Sequence, residues 1–228
     1  MDRVSMEGSA GRIYKGSKVR AHKYPWLAHI RSYVSRNAGS FAQCGGSLID
    51  EQHIATAAHC VVSDDGSPFD VSNVFLGKVK AFSEYSQISS VSEIWVDPNY
   101  NRKDLSNDFA ILTLSKPVKF TQQISPVCLP KSESGLSKLT VSGWGTTSAN
   151  SESSDTLLEV DVSFLTRDQC NDIKTDYFFK QNGIPLSMKV IPEVPETHIC
   201  AINQKSNNLL ITDISTDDNV FQNNIEVI

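Results

Sequence analysis

The sequence predicts an all-β fold, on three observations. Short β-branched and aromatic runs recur along the chain, several alternate apolar with polar residues, and clusters of Gly, Asn, Asp and Ser separate them. That spacing suits antiparallel barrels or a sandwich. In chain order the runs are 26–34 (WLAHIRSYV), 73–79 (NVFLGKV), 89–96 (SSVSEIWV), 108–114 (DFAILTL), 138–144 (KLTVSGW) and 157–165 (LLEVDVSFL). In the last of these, Leu158, Val160, Val162 and Phe164 fall on one face, with Glu159, Asp161 and Ser163 on the other. One helical start is legible. Thr166-Arg167-Asp168-Gln169 fits a capping box, which predicts one short helix near 167–175 carrying Cys170.

The chain has 228 residues, 39% of them hydrophobic, enough for a real core in one large or two small domains. A net charge of −5, with no dense Lys/Arg block, gives no electrostatic reason to expect nucleic acid. No apolar run approaches the length needed to cross a bilayer, so no membrane partner is expected. The opening residues MDRVSMEGSAGR lack the apolar segment of a secretory signal peptide. Either the protein stays inside the cell, or this N-terminus is not that of the full precursor.

The five cysteines are Cys44, Cys60, Cys128, Cys170 and Cys200. An odd, widely spaced set argues against a CxxC zinc module. Two bridges and one leftover thiol is the simplest oxidised reading, and five buried thiols is the alternative. His198-Ile199-Cys200 offers a corner of a metal site but no second pair of ligands nearby, so no metal and no cofactor are expected. Beyond Cys200 the texture changes. Residues 201–228 contain no Gly and no Pro, 11 of the 28 are Asn or Ile, and the turn residues that separate strands upstream are missing. Residues 208–214 could pair as a strand.

Two residues stand out for chemistry. His59 lies in TAAHC, where small neighbours let the backbone approach closely. Asp108 heads the apolar run DFAILTL, where its carboxylate could be half buried. A Ser-His-Asp centre needs an imidazole to take the serine proton and a carboxylate to fix the imidazole's tautomer. Taken singly, each residue also has an ordinary structural reading, as a packed histidine and a turn aspartate.

Together with their surroundings, these residues resemble the chymotrypsin/trypsin family of serine endopeptidases. GRIYKGSKVRAHKYPWLAHI looks like that family's activation site and first strand, and CGGSLI, TAAHC, NDFAILTL, PVCLP and GWG follow in the family's order. The resemblance runs from about Gly11 to Cys200, with an insertion between Cys170 and Cys200. It implies a double six-stranded antiparallel β-barrel, the second barrel incomplete here. It also implies a division into a propeptide remnant (1–12), a protease domain (13–200) and a divergent tail (201–228). His59 matches the family's general base and Asp108 its orienting carboxylate. Cys44–Cys60 and Cys170–Cys200 match two family bridges. Cys128 matches a cysteine that in some members ties the domain to its propeptide, and is left unpaired because no cysteine precedes Ile13. Arg12-Ile13 resembles the zymogen cleavage point. The family further implies secretion, a polypeptide substrate or protein partner, and a monomer.

The resemblance fails at the nucleophile. The family places it in a Gly-Asp-Ser-Gly-Gly turn shortly beyond the cysteine matched by Cys200, and glycines are needed there for a tight turn that presents two N–H groups to an oxyanion. This chain has no glycine after Gly183. Ser215 stands at a plausible distance, with Asp213 before it, but the β-branched Ile214 and Thr216 suit a strand. The expectation is therefore a protease homologue that does not cleave peptides as written. Three accounts compete: an active endopeptidase, a non-catalytic homologue that binds or regulates a protein, and a truncated or mis-assembled product of a protease gene.

Overall fold

A computed structural model of the chain describes residues 16–35, 40–63, 66–77, 85–129, 138–144, 154–173, 194, 198, 200–202 and 225–227. They form two antiparallel sheets. The first has seven strands: β2 (Leu27–Ser35), β3 (Ser40–Leu48), β4 (His53–Thr56), β5 (Asp70–Leu76), β6 (Gln87–Ser89), β7 (Val91–Val96) and β8 (Ala110–Leu114), in the order β6-β5-β2-β3-β4-β8-β7. The second has β1 (Ser17–Lys18), β9 (Lys138–Gly143), β10 (Leu158–Leu165) and β12 (Ile225–Val227) in the order β1-β10-β9-β12, with β11 (Cys200–Ile202) also on β10. The first sheet curls until β5 and β7 approach each other. This is the all-β, chymotrypsin-like architecture the sequence implied.

The core follows from alternation. Ala28 and Ile30 on β2, and Ala110, Leu112 and Leu114 on β8, point inward and are fully buried. In the second sheet Leu158, Val160 and Val162 pack against Leu139, Val141 and Ala201, with Phe164 at the margin, which is the face read from the sequence. β2 differs in burying both faces. Leu27 and His29, opposite to Ala28 and Ile30, face the second sheet. Leu27 packs with Trp144 and Leu157, and the His29 ring lies 5.9 Å from those of Trp144 and Phe75. A hydrogen bond of 2.8 Å between His29 Nε2 and Gln43 Oε1 satisfies the imidazole there.

β3 is a strand despite its two glycines. A Cβ at Gly46 would meet Ile54 Cγ2 at 2.7 Å, Ile30 Cδ1 at 2.9 Å and the Ala55 carbonyl at 3.0 Å. The glycine lets β3 lie close against β2 and β4, and that packing outweighs its weak strand propensity. The 73–79 run ends earlier as a strand, at Leu76, because Gly77 takes a φ of +68° and turns the chain. The 89–96 run is split at Ser90 between β6 and β7. Among the described residues the helix covers 167–173. Its capping box forms as expected: Gln169 N–H donates to Thr166 Oγ1, and Thr166 N–H donates to Gln169 Oε1 at 3.0 Å. The 208–214 segment lies outside the described residues.

One polar clamp joins the chain before β2 to the second sheet. Lys23 Nζ reaches Glu159 Oε2 at 2.5 Å, and the Tyr24 hydroxyl donates to the same oxygen. Partial burial pushes the Glu159 carboxyl up, but the hydrogen bonds from Lys23 and Tyr24, helped by the lysine's charge, outweigh it and hold the group below its usual range. A carboxyl with a lowered folded pKa contributes stability above its unfolded pKa and loses it as pH falls through the folded value. Acidification from about pH 5 to pH 3 should therefore lower the urea midpoint of the parent chain more than that of a Glu159→Gln variant. Equal acid dependence in the two proteins would exclude the clamp as a contributor.

Candidate active site

The two candidate residues meet because of strand pairing. β4 and β8 are antiparallel neighbours, with Thr56 opposite Ala110. The chain leaving β4 and the chain approaching β8 are therefore side by side. Three residues beyond Thr56, a 3-10 turn over Ala58–Cys60 carries His59. Two residues before Ala110 stands Asp108. Ala58 is fully buried, so only a small side chain fits beneath the turn. The Thr56 hydroxyl donates to the Gly45 carbonyl at 2.7 Å and fixes the end of β4 against β3. On the other side Asn107 has a φ of 55°, a left-handed conformation that asparagine tolerates, and the Phe109 N–H closes onto the Asn107 carbonyl at 2.8 Å. This tight reversal accompanies the inward position of the Asp108 side chain, which is only 2% exposed.

Asp108 spends both oxygens on His59. Oδ1 accepts the His59 backbone N–H at 2.8 Å, and Oδ2 lies 2.6 Å from His59 Nδ1. An ionised carboxylate only accepts, so Nδ1 carries the hydrogen and, in the neutral ring, Nε2 keeps its lone pair. Nε2 is the basic atom, 3.5 Å from Cys60 Sγ, and the imidazole side chain remains 17% exposed. The two hydrogen bonds also satisfy a carboxylate that would otherwise be costly to bury. What the pair can do is hold a neutral imidazole in one tautomer and stabilise its cation once a proton arrives.

The turn is braced covalently. Cys44 on β3 and Cys60 at the end of the 3-10 turn form a disulfide, with Cα atoms 6.0 Å apart. Ser32 adds a bond from its hydroxyl to the Cys60 carbonyl at 3.1 Å. Sequence reasoning missed Ser32, Thr56 and the reversal at Asn107. The available signal was Ser32 itself, a polar residue on the inward face of β2 in register with Ala28 and Ile30. The sulfur atoms of Cys44 and Cys60 and a ring nitrogen of His59 lie within 4.8 Å of one another, but both sulfurs are consumed by the disulfide and offer no thiolate to a metal.

The remaining sequence candidates are dispersed. Cys170 on the helix is disulfide-bonded to Cys200 on β11 and packed with Val194. That bond leaves the His198–Cys200 corner without a free thiolate. Cys128 is a free, exposed cysteine. Arg12, Ile13 and Ser215 lie outside the described residues.

Replacing Asp108 by alanine removes the acceptor of two hydrogen bonds and leaves the His59 amide unmatched. Equilibrium urea unfolding should show a loss of about 2–3 kcal/mol. A loss within error of zero would mean that the carboxylate does not hold the turn.

A sequence model of the family Trypsin matches residues 13–207. The chain is 32% identical to the proclotting enzyme of Tachypleus tridentatus over 171 residues, covering 70% of this chain and 45% of that protein. It is 30% identical to Limulus clotting factor C of Carcinoscorpius rotundicauda over 202 residues, covering 83% of this chain and 19% of that protein. It is 33% identical to granzyme B of Rattus norvegicus over 180 residues, covering 77% of this chain and 69% of that protein. The chain spans 45%, 19%, 19% and 48% of the length of the first four curated relatives. The match across most of the sequence, on a fold that brings a histidine and an aspartate together at the end of β4, places this chain in the trypsin family of serine proteases.

Proposed function

We propose that this chain is a trypsin-like homologue that keeps the base half of a protease centre and does not hydrolyse peptide bonds. The observation that carries the reading is the His59–Asp108 pair, oriented as a general base, in a sequence with no glycine beyond Gly183. A nucleophile in this chemistry needs a turn that exposes a hydroxyl and aims two backbone N–H groups at the developing oxyanion. Ser215, between Ile214 and Thr216, has no glycine to make that turn. An imidazole without a hydroxyl to deprotonate has no acyl-transfer step to assist.

In this reading the chain acts by binding a polypeptide, as a regulatory homologue. The domain runs over 13–200, preceded by a propeptide remnant (1–12) ending at an Arg12-Ile13 cleavage point and followed by the divergent tail 201–228. The two disulfides support an oxidising, extracellular setting.

The test is hydrolysis. Fluorogenic peptide amides with Arg, Lys, aromatic and small residues before the scissile bond are offered to the chain, and to a sample cut after Arg12. Neither should release product above a His59→Ala control. Turnover that His59→Ala abolishes would overturn the proposal and make Ser215 the first residue to replace.

A further inference from the structure

Beyond the His59–Asp108 site, the second sheet has an edge that the tail of this chain covers. β9 pairs with β10 along its whole length, Lys138 with Ser163 through Gly143 with Leu158. On its other side, among the described residues, it pairs only with β12, over Gly143, Ser142 and Val141, opposite Ile225, Glu226 and Val227. Lys138, Leu139 and Thr140 have no strand on that side among the described residues. β12 also lies beside β3 of the first sheet, so the seat is a slot between the two sheets. On β9 and just past its end, Ser142 Oγ and Trp144 Nε1 are buried without a hydrogen-bond partner among the described residues.

An open strand edge is a row of backbone donors and acceptors that captures any extended segment able to meet it. We propose that the β9 edge over Val141–Gly143 is a strand-binding site, and that its ligand is this chain's own segment Ile225–Val227, a β-branched and acidic strand bound in cis. The segment comes from the part of the sequence least like a strand-and-turn domain, yet its Ile-Glu-Val triplet has the composition of an edge strand. Among the described residues its ladder has three residue pairs against the six of β10, and a shorter ladder holds more weakly, so the occupant is exchangeable. A free peptide of the same sequence competes for the seat.

Two experiments on the full chain test this. In a Cys128→Ser background, Ser142→Cys and Glu226→Cys place thiols at directly opposed register positions. Mild oxidation should give an intramolecular disulfide, seen in the intact mass as the loss of two hydrogens, whereas Thr140→Cys with Glu226→Cys should not. Failure of the opposed pair to close, or equal closure of both pairs, would overturn the register. Closure between chains would overturn binding in cis and put a second copy's strand on the seat.

The second experiment replaces Ile225, Glu226 and Val227 by Gly, Pro and Gly. Amide exchange at Val141–Gly143 should accelerate at least about tenfold while Ala110–Leu114 in the first sheet keeps its protection. The synthetic hexapeptide NNIEVI, residues 223–228, should bind this variant saturably and restore protection. It should bind the parent chain at least about tenfold more weakly, because the seat is taken. Unchanged exchange in the variant, or equal peptide affinity for variant and parent, would overturn the proposal. If the replacement also loosens Ala110–Leu114, the disulfide result decides alone.

Discussion

The carboxylate of Asp108 is the constraint on which the rest of the candidate site depends. It is buried, and both of its oxygens are spent on one residue, through the backbone N–H and Nδ1 of His59. Burying a charge this deeply is unfavourable unless hydrogen bonds replace the lost water, and here two short ones do. In return the charge fixes the path of the 3-10 turn, the rotamer of the imidazole and its tautomer together. The Cys44–Cys60 bridge and the Ser32 hydroxyl hold the same turn from β3 and β2. Closing a loop of that size is worth about 3 kcal/mol in the chain-entropy model, enough to matter in a domain of ordinary marginal stability.

The two sheets are coupled through β2. A strand with one wet face would show alternating burial, but Leu27, Ala28, His29 and Ile30 are all buried. One face fills the first core and the other receives Trp144 and Leu157 from the second sheet. The Lys23–Tyr24–Glu159 clamp lies just before β2 and joins the same two bodies with charge rather than apolar area. Most residues that position His59 therefore belong to the first sheet, while the second sheet supports it from behind β2.

Much of this was legible before the structure. Alternation in 157–165 gave the buried face of β10 correctly, and Thr166 and Gln169 cap the helix as their spacing implied. β3 was not legible as a strand. Gly45 and Gly46 have poor strand propensity, and only the proximity of Ile30, Ile54 and Ala55 explains why glycine is needed at Gly46. β4 and β11 are too short to carry a period, and β12 forms only against β9, so no local pattern announces them. His59 and Asp108 could be named as candidates because their surrounding motifs resemble a family. What joins them, the pairing of Thr56 with Ala110, is a long-range contact that no local window contains. Ser32 and Asn107 escaped for a related reason: each side chain donates to a backbone carbonyl, of Cys60 and Asn99 respectively, that is reached only after the strands have paired.

The central claim is that His59 and Asp108 are assembled with no nucleophile for them to serve. The most direct measurement is intact-mass analysis after exposure to a fluorophosphonate, which phosphonylates a serine only when a neighbouring base has activated it. The account predicts no mass added by the reagent, whether or not the chain is first cut after Arg12. A stoichiometric adduct on one serine, lost in a His59→Ala variant, would contradict it and show that the base has found a hydroxyl.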